Sequence, residues 1–443
     1  MSFFGMFQRQ SPAAQQPAKG NGVYAALDVG SSKVACFIAR TDETIAGPRP
    51  RMVGVGHQSS RGVRGGAIVD MDGASEAIRA AVEQAERMAG TAVTAVSVSL
   101  SAGQPNSTRI AAEIDLHNRE VTAKDLRKLL NGALSEFQVD DRVILHAIPL
   151  SWSVDDHRGI RDPRGMYGRT LGVEVHVITA AVGPLRNLMN CVERCHLNLK
   201  GVVATPYASG LSALGDDEVK LGATLIDMGA GASTAAVFAD GALLHIDSVP
   251  LGGTHVTSDI ARGLSTPIAA AERLKVLYGC ALDSPEDDQQ MIEVPPVVGE
   301  EGVGYGTAPR SLLNSIIRPR LEETFELIRD RLDVAGVLAA SGRTMVLTGG
   351  AAQLPGATEV AARIFGKQVR VAGPSGITGL GDAVAGPAFS SVAGIVRRET
   401  RGAAEAISGP PQMMDTPVRE RQARPAGEAK GAAAMWRWFA ESF

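Results

Sequence analysis

Apolar runs in two parts of the chain follow the same order: a strand, a short polar turn and a second strand. The runs VYAALDVG and KVACFIAR flank a turn of glycine and serine residues at 28–33, which predicts a β-hairpin. About 200 residues later, GATLIDMGAGASTAAVFADGALL repeats this order around a turn at 227–233. The repeat predicts an α/β protein built from two related halves.

Elsewhere in the chain, apolar residues recur at three- and four-residue spacing, which is typical of amphipathic helices. The spacing predicts helices at 74–89, 184–197, 321–335 and 356–365. Helices that surround the two predicted hairpins in this way are typical of the α/β class.

Residues 97–183 do not follow the pattern of the first half. They contain a helix from about Thr122 to Phe137 and four segments with the composition of strands, SVSLS, TRIAAEID, RVILHAIPLSWSV and LGVEVHVITAAV. This order predicts an inserted α+β module. In the second half, residues 258–340 are mostly helical, except for an acidic stretch at 283–307 whose prolines and glycines predict a solvated hairpin or loop.

These patterns give a set of segment boundaries. Polar stretches without periodicity predict disordered segments at both sides of an ordered body. The boundaries are 1–21 and 399–431 for the disordered segments, 22–96 and 184–222 for the first half, 97–183 for the insertion, 223–257 and 341–398 for the second half with a return helix, 258–340 for its helical part, and 432–443 for a terminal helix.

Composition restricts the functional class. A chain of 443 residues with 44% hydrophobic residues can form two or three packed domains, which excludes a wholly disordered protein. Lys and Arg number 44 against 48 Asp and Glu, and the formal net charge of −4 provides no field that attracts polyanions. We therefore expect no nucleic-acid partner.

The 4 cysteines are scattered, which favours a reducing cytoplasm over a disulfide framework. Cys191, Cys195 and His196 could hold a metal, but the two cysteines share an apolar helical face, which favours core packing. No stretch approaches the roughly 18 to 20 apolar residues of a membrane span, and the first residues do not have the pattern of a signal peptide.

Aromatic residues are only 4% of the chain, but they cluster at its ends. The helix predicted at 432–443 is too short to be stable alone in water, so it needs a surface on which to fold. A membrane surface is favoured over a groove in a protein, because about thirty polar residues precede the helix as a tether. One face of this helix carries its large apolar side chains, Met435, Trp436, Trp438, Phe439 and Phe443. The cluster SFFGMF at 2–7 could be a weaker membrane site, a partner contact or neither.

The tips of the two predicted hairpins have the residue types of a metal–phosphate site. Each strand ends in an aspartate, Asp28 or Asp227, which glycine and hydroxyl residues follow at once. Glycine allows backbone N–H groups to approach phosphate oxygens, and carboxylates bind hydrated Mg²⁺. One such tip could be an ordinary turn, but two in related halves favour a nucleotide held from both sides. A third element, TMVLTGGAA at 344–352, has paired glycines where a flat base can lie against the backbone.

Together, DVGSSK, DMGAGAST, TGGAAQLPG and GLGDAVAG resemble the ATP-binding clefts of the actin, Hsp70 and sugar-kinase superfamily. PLGGTHVTSDIA, AERLKVLYG and IIRPRLEETFELIRDRL are similar, more narrowly, to the FtsA family of bacterial cell-division proteins, and this resemblance covers residues 22–398. It implies an actin-like two-domain ATPase fold with duplicated RNase H-like halves, an inserted α+β subdomain and a C-terminal amphipathic helix.

The resemblance also implies a site for ATP and Mg²⁺, with Asp28 and Asp227 facing the metal through water. ATP turnover would be weak at most, with Asp227 as the best candidate for a catalytic carboxylate. The residues implied to hold the nucleotide are Asp28, Gly30, Ser31, Ser32, Lys33, Asp227, Gly229, Gly231, Ser233, Gly252, Gly253, Glu272, Lys275, Gly349, Gly350 and Ala351. For Glu272 and Lys275, a solvated helix face is the alternative.

The family's role implies the partners. The chain would polymerise and would tether the tail of the tubulin-like protein FtsZ to the cytoplasmic face of the inner membrane through 432–443. It would also recruit later division proteins. The insertion would be a contact surface for partners, or else only a variation of the fold. Arg318, Arg320 and Glu323 are candidate contacts for the FtsZ tail, or else a structural ion-pair network. The alternative functions are a metabolite kinase of the same superfamily and an actin-like adaptor of a pilus or secretion system.

Overall fold

The structure is a computed structural model that describes residues 22–44, 47–137, 139–297, 306–402, 405–407 and 409–411. The predictions for 1–21 and for the helix at 432–443 lie outside these residues. The strands are β1 (Val23–Val29), β2 (Lys33–Thr44), β3 (Gly47–Ser59), β4 (Val63–Arg64), β5 (Ala67–Ile68), β6 (Ala95–Leu100), β7 (Asn106–Glu120), β8 (Arg142–Val154), β9 (His157–Ile160), β10 (Tyr167–Ala181), β11 (Asn198–Ala204), β12 (Ala223–Met228), β13 (Ser233–Ala239), β14 (Ala242–Val249), β15 (Met291–Val294), β16 (Gly306–Pro309), β17 (Thr344–Thr348) and β18 (Gln368–Val371). The helices are α1 (Met71–Ala89), α2 (Ala123–Glu136), α3 (Val182–Glu193), α4 (Thr205–Ala213), α5 (Asp216–Leu221), α6 (Gly253–Gly263), α7 (Ile268–Tyr278), α8 (Arg310–Val334), α9 (Ala357–Phe365) and α10 (Ser390–Arg401), with short 3-10 helices at Gly350–Gln353, Asp382–Val384 and Pro387–Phe389.

The first half has a sheet of strand order β11-β6-β1-β2-β3. β1 pairs antiparallel with β2, as the hairpin pattern predicts, and parallel with β6 on its other side. The predicted boundary of the insertion at residue 97 is therefore wrong, because β6 belongs to this sheet. Its pairing with β11 joins segments about 100 residues apart, and a short apolar run carries no signal for so distant a partner.

The insertion forms a separate sheet of order β7-β10-β8-β9, with α2 against β7 and β10. The α+β module is thus confirmed, and its sheet begins at Asn106. Its core includes Leu129 of α2 and Trp152 of β8. The side chain of Asp125, near the start of α2, accepts hydrogen bonds from the backbone N–H of Thr122 at 2.9 Å and from the Arg119 guanidinium, which joins the helix to β7.

The second half repeats the first with a sheet of order β14-β13-β12-β17-β18. α8 is longer than predicted, because it begins at Arg310 and continues through Pro319. Proline usually ends a helix, since it lacks a backbone N–H, but here buried residues on both sides of it continue one helical face into the core. Leu313, Ile317, Leu321 and Phe325 form this face.

The disordered linker predicted at 399–431 is wrong at its start, while residues 412–431 lie outside the described residues. α10 continues to Arg401, and the Glu405 side chain, only 2% exposed, lies between His146 of the insertion and Arg398 of α10. Its carboxylate accepts hydrogen bonds from Arg398 Nε at 2.9 Å and lies 3.0 Å from His146 Nδ1. The Ala406 N–H also donates to the Ala147 carbonyl oxygen at 2.8 Å, so this segment attaches the end of α10 to the insertion.

Replacing Glu405 with Ala should lower the free energy of unfolding by about 3 kcal/mol, because it leaves the Arg398 and His146 side chains without their buried partner. Burial alone raises the pKa of Glu405, but these two partners outweigh it and hold the pKa at about 2, so the carboxylate is ionised at neutral pH. Urea unfolding at pH 7.5 measures the loss. Asp217→Ala, whose side chain is 91% exposed, is the control with little change; equal losses in both variants would contradict the buried role.

Among the residues that the structure describes, no helix is both long and apolar enough to cross a lipid bilayer.

Candidate functional site

The two hairpin tips that the sequence singles out lie at one cavity of about 940 Å³. The tips have the same local structure: the Gly30 N–H donates to the Lys33 carbonyl oxygen at 3.0 Å, and the Gly229 N–H donates to the Ala232 carbonyl oxygen at 3.0 Å. Each tip begins at an aspartate that is the second-to-last residue of its strand, Asp28 in β1 and Asp227 in β12. The repeat in the sequence is therefore a repeat in backbone conformation.

Every residue for which the sequence implied a nucleotide contact lines this cavity. They come from the β1–β2 tip, the β12–β13 tip, the start of α6, one face of α7 and the turn after β17. That these residues bind a nucleotide stays a prediction. The residues are Asp28, Gly30, Ser31, Ser32, Lys33, Asp227, Gly229, Gly231, Ser233, Gly252, Gly253, Glu272, Lys275, Gly349, Gly350 and Ala351.

The two tips approach each other so closely that Gly231 has no room for a side chain. A Cβ at Gly231 would lie 2.6 Å from Ser31 Oγ and 2.8 Å from the Cα of Gly65, which is in the turn between β4 and β5. Ser31 Oγ also accepts a hydrogen bond from the Gly66 N–H at 3.0 Å. The β4–β5 turn therefore takes part in the contact between the two tips. No pattern in the sequence predicted this position for the turn.

The two aspartates differ in their surroundings. Asp227 is 7% exposed, and burial raises its pKa to about 6; a hydrogen bond from Ser209 opposes this rise and the charge of Asp28 adds to it. Asp28 Oδ1 accepts hydrogen bonds from Ser99 Oγ at 2.5 Å and Ser391 Oγ at 3.3 Å. Two carboxylates that repel each other at the end of a cavity suit a divalent cation. Mg²⁺ in particular is commonly bound by one or two carboxylates together with water and phosphate oxygens.

Lys33 brings a positive charge to the same end of the cavity. Its ammonium donates to the Ala388 carbonyl oxygen and lies 4.7 Å from the ring centroid of Phe389. Both residues belong to the 3-10 helix just before α10, so Lys33 connects the first tip to that helix. An ammonium near two carboxylates and glycine-rich turns is the arrangement expected where phosphates bind.

The α6–α7 pair forms another wall. A Cβ at Gly252 would lie 2.6 Å from the carbonyl oxygens of Gly229 and Ala230, so α6 begins directly against the second tip. Lys275 Nζ donates to the Gly253 carbonyl oxygen at 3.1 Å and lies 2.7 Å from Glu272 Oε2. The Lys275 side chain is 14% exposed, so the alternative of a solvated helix face does not describe it.

The turn after β17 completes the cavity beside Asp227. Gly349 has φ +86°, and a Cβ there would lie 2.4 Å from Asp227 Oδ1 and 2.5 Å from the Met228 carbonyl oxygen. Both the backbone conformation and the space therefore require glycine at this position. Gly350 differs, since the atom nearest to a Cβ there is Ala388 Cβ at 3.9 Å.

The serines that contact the two aspartates were missed by the sequence analysis. Ser99, Ser209 and Ser391 lie in β6, α4 and α10, each in an apolar segment without a recognisable motif. A single serine within such a segment gives no signal. It becomes informative only when the fold shows which carboxylate it contacts.

The candidate partner residues all form ion pairs within the chain. Arg318 pairs with Asp283, and Arg320 pairs with Asp259 at 2.6 Å and with Glu323 at 2.5 Å. These contacts join α8 to neighbouring parts of the helical region. They fit the structural ion-pair network that was the alternative to a contact with the FtsZ tail. A role in binding a partner stays a prediction.

Cys191 and Cys195 pack against helix α1 within the first half. Cys191 Sγ lies 3.3 Å from Ser75 Oγ of α1, and the Cys195 thiol donates to the Ser75 carbonyl oxygen at 3.4 Å. Burial raises the pKa of both thiols. This arrangement confirms the prediction of core packing for the two cysteines.

The fold and the cavity define the class of protein. The structure is similar to that of the PilM–PilN type IV pilus biogenesis complex, with a TM-score of 0.60 and 16% identity over 86% of this chain and 99% of the other. It is also similar to MreB5 of Spiroplasma citri bound to ADP, with a TM-score of 0.51 and 13% identity over 86% and 99% of the two chains. The fold is actin-like.

Sequence comparisons narrow this class. The family model "Cell division protein FtsA" matches residues 224–394, and the model "SHS2 domain inserted in FTSA" matches 102–179, which agrees with a sheet that begins at Asn106. The cell division protein FtsA of Agrobacterium fabrum is 44% identical over 100% of both chains. Those of Rhizobium meliloti and Escherichia coli are 48% and 34% identical, over 89% and 84% of this chain and 91% and 88% of theirs. The chain belongs to the FtsA family of cell division proteins.

Proposed function

We propose that the cavity binds ATP with Mg²⁺ and that the nucleotide-bound chain polymerises and tethers FtsZ to the cytoplasmic face of the inner membrane. The observation that carries this proposal is the meeting of two similar hairpin tips, one from each half, at one cavity. A neighbour of the same fold, MreB5 of Spiroplasma citri, is described as bound to ADP. Membership of the FtsA family favours this role over a metabolite kinase or a pilus adaptor.

In the proposed complex, the phosphates lie between the two tips. Asp28 and Asp227 would hold Mg²⁺ through water, and the metal would neutralise phosphate charge. Lys33 would face the phosphates from the first tip, while Gly252 and Gly253 lie near the phosphates or ribose. Glu272 and Lys275 would approach the ribose and adenine, and Gly349, Gly350 and Ala351 would allow close contact with the base. Asp227 remains the best candidate for a catalytic carboxylate, with weak hydrolysis at most.

Equilibrium binding of ATP tests the nucleotide part of the proposal. Titration calorimetry with Mg²⁺ should give one site per chain, and removing Mg²⁺ with EDTA should weaken binding. Sedimentation in the presence of ATP then tests for polymers. A chain that binds no adenine nucleotide would contradict the proposal, whereas a chain that binds ATP and transfers its phosphate to a small molecule would favour the kinase.

The membrane part of the proposal depends on residues 432–443, whose apolar face is a prediction from sequence. Replacing Trp436 and Trp438 with Glu should reduce co-sedimentation with anionic liposomes by about 10-fold or more, because two large apolar groups leave the lipid-facing side. ATP affinity should stay unchanged. Glu441→Gln, on the polar face, is the matched control that retains liposome binding; equal sedimentation of the tryptophan variant and the wild type would contradict the anchor.

The FtsZ tail is the proposed partner of the helical region, and later division proteins are proposed partners of the insertion. Arg318, Arg320 and Glu323 stay candidates for the tail contact. Adding an FtsZ tail peptide to the liposome assay tests this: charge reversal at Arg318 should weaken recruitment of the peptide while the protein remains bound to lipid. Recruitment that is unchanged would assign this residue to the structural ion pair with Asp283 alone.

A further inference from the structure

Two helices cross directly behind the two aspartates. A Cβ at Gly394 in α10 would lie only 1.7 Å from the Ala208 carbonyl oxygen in α4, so the two backbones are in contact at this point. Ser212 Oγ donates a hydrogen bond to the Ser390 carbonyl oxygen at 2.6 Å, which fixes the helices further. The crossing is buried, because Ala208, Ser212 and Ser390 are each 1% exposed or less.

Each helix directs one serine to one aspartate. In α4, Ser209 follows Ala208 and its hydroxyl donates to Asp227 Oδ2. In α10, Ser391 lies one turn before Gly394 and its hydroxyl donates to Asp28 Oδ1 at 3.3 Å. The two helices thus contact the two carboxylates from the same side of the cavity. A shift of one helix against the other would therefore move these hydroxyls relative to the carboxylates.

The hydrogen bonds also orient each carboxylate. Ser209 bonds to Oδ2 of Asp227, while the other oxygen of this group, Oδ1, lies beside Gly349 at the cavity. Asp28 Oδ1 accepts hydrogen bonds from Ser99 at 2.5 Å and from Ser391. In the part of the chain that the structure describes, the serines therefore occupy one oxygen of each carboxylate and leave the second for other ligands.

We propose that Ser209 and Ser391 are positioning residues, which use the α4–α10 crossing to fix the orientation and separation of the two carboxylates for one divalent cation. The inference rests on the proposed binding of Mg²⁺ and ATP. Neither serine needs to contact the metal or the nucleotide. Hydrogen-bond partners of direct metal ligands typically change metal affinity by about 10- to 100-fold when they are removed, and we expect the lower end of this range here because water lies between the aspartates and the metal.

Ser209→Ala tests the proposal. The variant should need about 10-fold more Mg²⁺ for half-maximal ATP binding, while ATP binding in EDTA should change by less than about 2-fold. Ser391→Ala should show a smaller rise, since Ser99 still holds Asp28. Ser391→Ala also tests the proposal independently if Ser209→Ala does not fold.

Ser75→Ala is the control, because it removes a buried hydroxyl in α1 that donates to the Met71 carbonyl oxygen and takes no part in the α4–α10 crossing. It should lower thermal stability without changing the Mg²⁺ requirement. Equal increases in the Mg²⁺ requirement for Ser209→Ala and Ser75→Ala would overturn the proposal. A loss of ATP binding in EDTA by Ser209→Ala, or an unchanged requirement in both Ser209→Ala and Ser391→Ala, would also overturn it. Failure of the wild type to bind ATP would instead contradict the proposed function.

Discussion

Asp227→Asn is expected to weaken Mg²⁺-dependent ATP binding by about 10- to 100-fold and, at the same time, to stabilise the nucleotide-free protein. The loss of binding follows from removing one of the two negative charges at the proposed cation site. The gain in stability follows from burial of that charge, which is unfavourable when no cation is bound. Function and stability therefore change in opposite directions.

The stability effect depends on pH in a defined direction. Burial raises the pKa of Asp227 from its ordinary 3.8 to about 6, so folding favours the protonated form. Near pH 4 the native carboxyl is mostly protonated and the penalty is small. It grows as the pH rises to about 6 and is then constant, at up to about 3 kcal/mol. Asparagine has no such penalty, so the advantage of the variant should appear above pH 6 and fade toward pH 4.

Chemical unfolding of the nucleotide-free protein between pH 4 and 8 measures this difference. Asp125→Asn is a control with the opposite sign, because hydrogen bonds from Arg119 and Thr122 lower the pKa of Asp125 and its charge is favourable in the fold. This control should lose stability at neutral pH. If Asp227→Asn also lost stability at pH 7.5, the account of a repelled, buried carboxylate would be wrong.

Gly349→Ala is expected to destabilise the protein by about 3 kcal/mol or more and to abolish ATP binding. The added Cβ would meet Asp227 Oδ1 at 2.4 Å and the Met228 carbonyl oxygen at 2.5 Å, in a backbone conformation with φ +86° that L-residues rarely adopt. The strand ends of β12 and β17 would have to separate, and the Asp227 side chain would move. Thermal unfolding and ATP titration measure both effects.

The neighbouring Gly350→Ala is the matched control. A Cβ at Gly350 has Ala388 Cβ as its nearest atom at 3.9 Å, so the free energy of unfolding should change by less than about 1 kcal/mol. If the base lies against this turn, the same variant should still weaken ATP binding. Wild-type stability in Gly349→Ala would contradict the packing at this turn, and wild-type affinity in Gly350→Ala would remove Gly350 from the nucleotide site.

The parts of the site that the sequence predicted depend on local patterns. The tips at Asp28 and Asp227 were predictable because each turn lies between two apolar runs that pair with each other. The strands of the insertion were predictable from their own apolar runs, but the pairing of β7 with β10 was not. The resemblance to a known family supplied what local patterns lack, namely which separate segments surround one cavity.

The parts that were not predicted depend on distant contacts. β6 joined the first sheet by pairing with β1 on one side and β11 on the other. α8 continued through Pro319 because a buried face extends on both sides of it. Glu405 is charged and lies three residues after Gly402, which favours a linker, but Arg398 and His146 offset the cost of its burial. Ser209 shows the same limit, since only the fold places it against Asp227.

A crystal structure with a non-hydrolysable ATP analogue and Mn²⁺ in place of Mg²⁺ tests the central claim most directly, because anomalous scattering locates the metal. We predict one Mn²⁺ between the Asp28 and Asp227 carboxylates, with the phosphates between the β1–β2 and β12–β13 tips. A nucleotide bound elsewhere, or a metal that neither aspartate reaches directly or through one water molecule, would contradict the account.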